Sequence, residues 1–219
     1  MIHALDGWVP SRLGAGMDAG TADRSLDLAA LAARWGSAPT AQATQVHGAG
    51  IAVVSTPPGA PVAGCDALLT ATPGLLLIVR TADCVPVFIG DARQRVIGVA
   101  HAGWRGLAAS LPARLVAAAQ RFLHARPADL HAAIGPAIRA CCYEVGPEFA
   151  RSFGPYVHER GGRRTCDLVG VTIAQLHAAG VPSGAIEDSG VCTNCQTRWY
   201  STRREGQATG RLLSFIRLR

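Results

Sequence analysis

Between residues 66 and 101 the chain packs four short apolar runs: DALLT (66–70), LLLIVR (75–80), VPVFIG (85–90) and RVIGVAH (95–101). Each is divided from the next by Gly, Pro or Asp. Runs this short have the length and β-branched content of buried strands, and the breakers between them leave no room for an intervening helix. IAVV (51–54), closed by the turn-rich STPPGAPVAG, precedes them; LHAAIG (130–135), AIEDSG (185–190) and RLLSFIRL (211–218) follow. Helical patterning is confined to a few segments. Over 23–36, Leu28, Leu31, Ala32 and Trp35 share a face and Gly36 supplies a stop. Over 107–124, Leu111, Leu115, Ala118 and Phe122 form a stripe, with Pro112 tolerable only in a first turn. PEFARSFG (147–154) and 167–180, ended by Gly180, complete the set. Strands cluster first and helices later, without regular βαβ alternation. That pattern predicts an α+β fold with a mixed or mainly antiparallel sheet, in one domain over 1–219.

Composition narrows the function. Hydrophobic residues make up 49% of the chain and charged residues 16%, enough for a sizeable core and against disorder. The longest apolar runs, such as GLLLIV (74–79), are far short of a membrane span. MIHALDGWVP has neither a basic start nor an apolar signal core, so a cytoplasmic location is expected. All 21 basic residues are arginine. The absence of lysine excludes a Schiff-base lysine and a phosphate-loop lysine. The net charge of +6 raises nucleic acid as a partner, but there is no basic helix and aromatics are only 5%, so none is expected. Arginine instead suits a pocket that grips phosphate or carboxylate. The seven cysteines (65, 84, 141, 142, 166, 192 and 195) read as free buried thiols or metal ligands, with the vicinal pair Cys141–Cys142 read as packing.

The chemistry concentrates in TADCVPVFIGDARQRVIGVAHAGWRG (81–106). A hairpin centred between Ala92 and Arg93 pairs residues whose numbers sum to 185, which places Cys84 opposite His101. Directly opposed Cβ atoms lie roughly 5 Å apart, a separation that suits a Cys–His dyad or two ligands of one metal. His47, in TQVHGAG, is a third candidate. Two imidazoles and a thiolate form a donor set for Zn²⁺, and three protein ligands with an open fourth position describe a catalytic zinc site. The plainer alternative is a core cysteine and a turn histidine. Asp83 adjoins Cys84 as an acid, a base or a residue that orients the turn. Arg105, expected just before a helix start beside His101, is placed to hold phosphate. YSTRREGQATGR (200–211) gathers Arg203, Arg204 and Arg211 into a solvated loop or an anion-binding lip. CTNC (192–195) has redox or half-zinc spacing, but no second CxxC accompanies it.

These residues, taken in order, resemble a known family. QVHG (45–48), CDALLT (65–70), TADCVPV (81–87), VAHAGWRG (99–106), AIGPAI (133–138), CYEVG (142–146), CT (192–193) and YSTRREGQATGR closely resemble the laccase-domain family of purine nucleoside phosphorylases, long labelled multicopper polyphenol oxidases and also linked to peptidoglycan editing. The likeness runs over roughly 40–217. It implies a mixed-sheet α+β sandwich flanked by helices, and a zinc-like metal on His47, Cys84 and His101. It also implies phosphorolysis of purine nucleosides, including methylthioadenosine, and hydrolytic deamination of adenosine, with purine nucleosides and phosphate as partners. The segment SRLGAGMDAGTADRSLDL is shorter than the family pattern, and Ala137 stands where cysteine is frequent.

Four functions are therefore in contention. In a zinc-dependent nucleoside phosphorylase and deaminase, Arg105, Arg203 and Arg204 would hold phosphate. A copper phenol oxidase needs many histidines, commonly in His-x-His pairs; this chain has seven, scattered, so copper fits less well than zinc. A Cys–His hydrolase acting on an amide or ester in peptidoglycan precursors would use Cys84 as nucleophile and His101 or His47 as base. A non-catalytic binding module accounts least well for the clustered reactive residues. A monomer or small homo-oligomer is expected.

Overall fold

The computed structural model describes residues 7, 8, 10, 13, 14, 16–91, 93 and 96–219. In chain order the strands are β1 (Gly7–Trp8), β2 (Met17–Ala22), β3 (Thr40–Gln42), β4 (Ile51–Val53), β5 (Ala67–Thr70), β6 (Leu76–Thr81), β7 (Val85–Asp91), β8 (Val96–Ala102), β9 (His131–Ile134), β10 (Val157–Arg160), β11 (Arg163–Cys166), β12 (Ile186–Asp188) and β13 (Leu212–Leu218). The α-helices are α1 (Leu28–Ala33), α2 (Trp104–Ala108), α3 (Leu111–Leu123), α4 (Phe149–Phe153), α5 (Leu168–Ala178) and α6 (Thr202–Glu205).

Two mixed sheets carry the fold. One runs β1-β2-β13-β6-β3 and the other β12-β9-β7-β8-β5-β4, while β10 and β11 form a separate ribbon. The β3–β6, β4–β5 and β9–β12 pairs are parallel; the remaining pairs are antiparallel. The strand period of two sorts side chains into layers. On β6, Leu77 and Val79 face Phe88, Ile97 and Val99 of the second sheet, while Leu76 and Ile78 turn outward to Leu31 of α1. On β7 and β8, Val87, Ile89, Ala100 and Ala102 turn the other way, onto Leu111 and Leu115 of α3 and Leu176 of α5. The result is four layers: helix, sheet, sheet, helices. Leu77 is fully buried between the sheets, so Leu77→Ala should cost about 2–5 kcal/mol.

Several expectations are corrected here. The β7–β8 ladder pairs Pro86 with His101 and Asp91 with Val96, so paired numbers sum to 187, not 185. The loop is two residues longer than the assumed turn; Ala92, half of the expected centre, lies outside the described residues. A slip of two keeps every side chain on its face, so Cys84 and His101 become diagonal neighbours instead of opposed ones. The helix expected over 107–124 is two helices, because Ser110 adopts a left-handed φ of 59° between them. Pro112 then falls in the first turn of α3, where its missing N–H costs nothing. The helix expected over 23–36 shortens to α1. Its start is capped by Asp27, whose side chain accepts from Ala30 N at 2.8 Å.

Candidate functional site

The inter-sheet layer opens at one end into a cleft of about 640 Å³ whose lining includes His47, Asp83, Cys84 and His101. His101 lies on β8, on the face shared with Ile97 and Val99, and is 3% exposed. Cys84 is half-buried in the bend just before β7, and His47 is exposed in the loop between β3 and β4. The ligand atoms of the three lie within 4.8 Å of one another. The two imidazoles meet edge to face with ring centroids 4.7 Å apart. The structure thus brings together the three residues that the sequence spacing and the family resemblance had grouped.

Asp66 holds this arrangement in place, and the sequence reading gave it no role. The β5–β8 pairing sets Asp66 beside His101, whose backbone N–H donates to the Asp66 carbonyl at 2.7 Å. Its carboxylate Oδ1 lies 2.9 Å from His101 Nδ1 and accepts from His47 N at 2.9 Å. Its Oδ2 accepts from Gly48 N at 2.8 Å and Val46 N at 3.2 Å. One fully buried carboxylate therefore orients one imidazole directly and fixes the backbone that carries the other. A carboxylate on Nδ1–H leaves Nε2 of His101 free to act as a ligand or base. That backbone is unusual, since His47 adopts a φ of 59° and Gln45 a φ of 55° without being glycine. The only hint in sequence was that Asp66 directly follows Cys65 in the CDALLT string.

The electrostatics follow from this packing. Burial pushes the Cys84 thiol up, but hydrogen bonds and charge from His101 and His47 outweigh burial and bring it down to about 7. Burial lowers His101, yet its bonds to Asp66 and Cys84 win and raise it to about 9. Between about pH 7 and 9 the pair without a metal is therefore a thiolate beside an imidazolium. Burial raises the Asp66 carboxyl as well, but His101 and the loop amides hold it below the usual carboxylate range.

Among the described residues four arginines, Arg80, Arg105, Arg203 and Arg211, line the cleft. Arg105 sits over the Trp104 ring at 4.4 Å, and Arg203 over Tyr143 at 5.3 Å. Arg105 does not precede a long helix: α2 has five residues, so a helix dipole adds little there. Arg204 is not brought into the cleft. Its NH1 donates to the carbonyls of Thr193 at 2.6 Å and Asn194 at 2.8 Å, and its NH2 to that of Trp199, which makes it a staple of the 193–199 loop. Asp83 lines the cleft with both carboxylate oxygens engaged. Oδ1 accepts from Thr193 Oγ1 at 2.6 Å and Oδ2 from Arg203 N at 2.7 Å. Its φ of 89°, rare for a non-glycine residue, turns the chain so that Cys84 faces the histidines. Tyr143, unassigned from sequence, also lines the cleft. Burial, then the nearby Cys84 charge, push its phenol up to about 12, so it is a hydroxyl donor at neutral pH.

The three donors fit a single borderline-soft cation. Gly103 leaves the space open, since a Cβ there would stand 3.2 Å from Cys84 Sγ and 3.3 Å from His47 Cδ2. Two imidazoles and a thiolate with a carboxylate behind one imidazole match a zinc-type donor set. Among the described residues no further histidine joins the group.

A two-sheet mixed α+β fold with a His–Cys–His centre on the floor of an arginine-lined cleft defines the class of protein. The chain belongs to the multi-copper polyphenol oxidoreductase laccase family, whose model matches residues 18–219. It is 44% identical over 158 residues to a purine nucleoside phosphorylase of Deinococcus radiodurans, covering 70% of this chain and 61% of that protein. It is 35% identical over 163 residues to adenosine deaminase RL5 of an unknown prokaryotic organism, covering 70% and 62%. The chain thus spans about three fifths of the length of these two relatives. The crystal structure of YlmD from Geobacillus stearothermophilus superposes with a TM-score of 0.90 at 31% identity, over 99% of this chain and 98% of that one.

Proposed function

We propose that the chain is a zinc-dependent purine nucleoside phosphorylase, methylthioadenosine included, that also deaminates adenosine. The observation that carries this reading is the convergence of His47, Cys84 and His101 on the floor of a cleft lined by the guanidiniums of Arg80, Arg105, Arg203 and Arg211. The names of the two relatives agree with it. His47, Cys84 and His101 would hold the ion, which when bound supplies a Lewis acid at the cleft floor. Arg105 and Arg203 bind phosphate by charge-assisted hydrogen bonds and present it to the ribose anomeric carbon. As the new C–O bond forms, the bond to the purine nitrogen breaks and the base leaves. Asp83 acts by position, holding the Cys84 turn and the start of α6. Tyr143 offers a hydroxyl to the substrate from the cleft wall. Among the described residues Asp83 is the one carboxylate on the lining, and it is already bonded, so the cleft favours an anionic co-substrate.

The test is metal analysis of the purified chain followed by incubation with adenosine and phosphate. Stoichiometric zinc, with adenine and ribose 1-phosphate or inosine appearing, supports the reading. Full nucleoside turnover by Cys84→Ala with zinc retained would sink it. A multi-copper centre, which the family's description names, needs more imidazoles than the two that converge among the described residues.

A second reading has its own observation. Cys84, His101 and Asp66 stand in the order nucleophile, base, orienting carboxylate, with a thiol brought to about 7. That arrangement serves an amide or ester hydrolase, including one acting on peptidoglycan precursors. A ligated thiolate is not a free nucleophile, so rapid alkylation of Cys84 in a chain that holds no zinc would favour the hydrolase.

A further inference from the structure

Outside the cleft, the fold gathers four of the six other cysteines: Cys141 and Cys195 are exposed, Cys142 is half-buried and Cys192 is buried. Cys141 and Cys142 follow β9 in the loop before α4, and Cys192 and Cys195 lie in the loop between β12 and α6. The parallel bridge Ala137–Cys192 and the Arg139–Asp188 ion pair bring the two loops together. None of the four sulfurs is in a disulfide. The Sγ–Sγ separations are 3.7 Å for 141–142, 3.8 Å for 141–195 and 3.3 Å for 142–195. All four sulfurs lie within 4.8 Å of one another. None of these residues lines the cleft.

Four thiols crowded at these separations, two of them exposed, are a poor packing solution. They match another arrangement closely. A tetrahedral ion with bonds of about 2.3 Å to sulfur has sulfur–sulfur edges of about 3.8 Å. Backbone hydrogen bonds from Cys195 and Arg139 reach Cys192, as expected where a thiolate carries charge. Cluster chemistry spread over several irons would demand more widely spaced sulfurs, so one ion is favoured.

We infer that Cys141, Cys142, Cys192 and Cys195 form a second, structural metal site that binds one zinc ion. Four thiolates close the coordination shell and leave no open position, so this ion ties loops together and does no chemistry. The loops it joins form one wall of the cleft. Tyr143 follows Cys142 directly, Arg203 donates to Glu144 O at 3.0 Å, and Thr193 holds Asp83 at 2.6 Å. The site is independent of what the cleft catalyses.

The test is zinc stoichiometry by elemental analysis, on the full chain purified under reducing conditions, for wild type, Cys195→Ser and Cys84→Ser. Two zinc ions per chain are expected in wild type and one in each variant. Cobalt-loaded Cys84→Ser should show the strong thiolate-to-cobalt absorption of a sulfur-only tetrahedral site. Cys84→Ser leaves the cluster intact, so it decides the matter even if Cys195→Ser does not fold. No zinc in Cys84→Ser overturns the proposal, as does iron in place of zinc or a disulfide between any two of the four. Two zinc ions retained by Cys84→Ser would refute the cleft centre while leaving the four-cysteine site standing.

Discussion

Replacing Asp66 by Asn is the sharpest perturbation of the cleft, because it changes one buried atom. The carboxylate takes four hydrogen bonds, two on each oxygen. An amide offers only one oxygen. If that oxygen faces His101 and His47 N, the new NH₂ confronts the N–H groups of Val46 and Gly48, and two donors are stranded. If the amide flips, the NH₂ confronts His101 Nδ1 and forces the tautomer that carries its proton on Nε2, which can no longer serve as a ligand. Two lost bonds to a charged acceptor, at about 1.5–3 kcal/mol each, cost on the order of 3–6 kcal/mol. That is a large share of the roughly 5–15 kcal/mol that holds a domain folded. Zinc affinity should fall about 10- to 100-fold. Urea unfolding reads the first quantity, and competition with a chromogenic chelator reads the second. An unchanged unfolding midpoint together with zinc affinity within about twofold of wild type would refute the role assigned to Asp66.

Gly103→Ala should separate folding from ligation. The glycine's φ of −73° and ψ of 169° suit alanine, so stability should hold or rise by about 0.4–1 kcal/mol, while the added Cβ crowds Cys84 and His47 and lowers zinc affinity about tenfold. In the metal-free chain, His101 at about 9 contributes stability that is full below the ordinary imidazole range and is lost as pH rises through 9. Cys84 at about 7 does the reverse, contributing above the ordinary thiol range and losing that contribution as pH falls through 7. The slopes cancel between 7 and 9, because folding passes a proton from thiol to imidazole without net uptake. Urea titrations should therefore be flat in that window for wild type and fall with rising pH for Cys84→Ala; equal slopes would count against the pair. Arg203→Ala should raise the phosphate KM about tenfold or more at little cost in stability, whereas Arg204→Ala should lower the unfolding midpoint with KM unchanged. Steady-state kinetics at saturating nucleoside distinguish the two.

The strands with apolar cores were legible because burial on both faces writes itself as an unbroken run. β2 was not, since MDAGTA has little strand character. It is buried along its whole length because β1 and β13 flank it, a tertiary fact with no local signature. The β10–β11 ribbon, VHERGGRRTC, carries no apolar alternation to mark it, because most of it faces solvent. Leu107 precedes Ser110 and Leu111 follows it, so no apolar gap marks the break and the expected helix ran across it. Of the cleft, the cysteine and histidines were visible by type and family order. Asp66 was hidden by its ordinary place before a strand, and the four-cysteine group by a separation of some fifty residues. Arginine positions were visible, but which guanidiniums reach the cleft depends on nearby carbonyls, as Arg204 shows.

The position of β13 bears on how the chain is assembled during synthesis. β13 lies between β2 and β6, pairing Phe215 with Gly20 on one side and Ile78 on the other. Roughly 190 residues separate it from β2, so on the ribosome β2 must wait, unpaired along one edge, until residues 212–218 have emerged. His47, Asp66, Cys84 and His101 belong to an earlier unit: β7, β8 and β5 close on one another within the first half of the sequence. The floor that carries His47, Cys84 and His101 can thus form on the nascent chain while the wall bearing Arg203 and Arg211 is still untranslated. Chains stalled before residue 212 should accordingly bind zinc through His47, Cys84 and His101 while β2 remains open to protease.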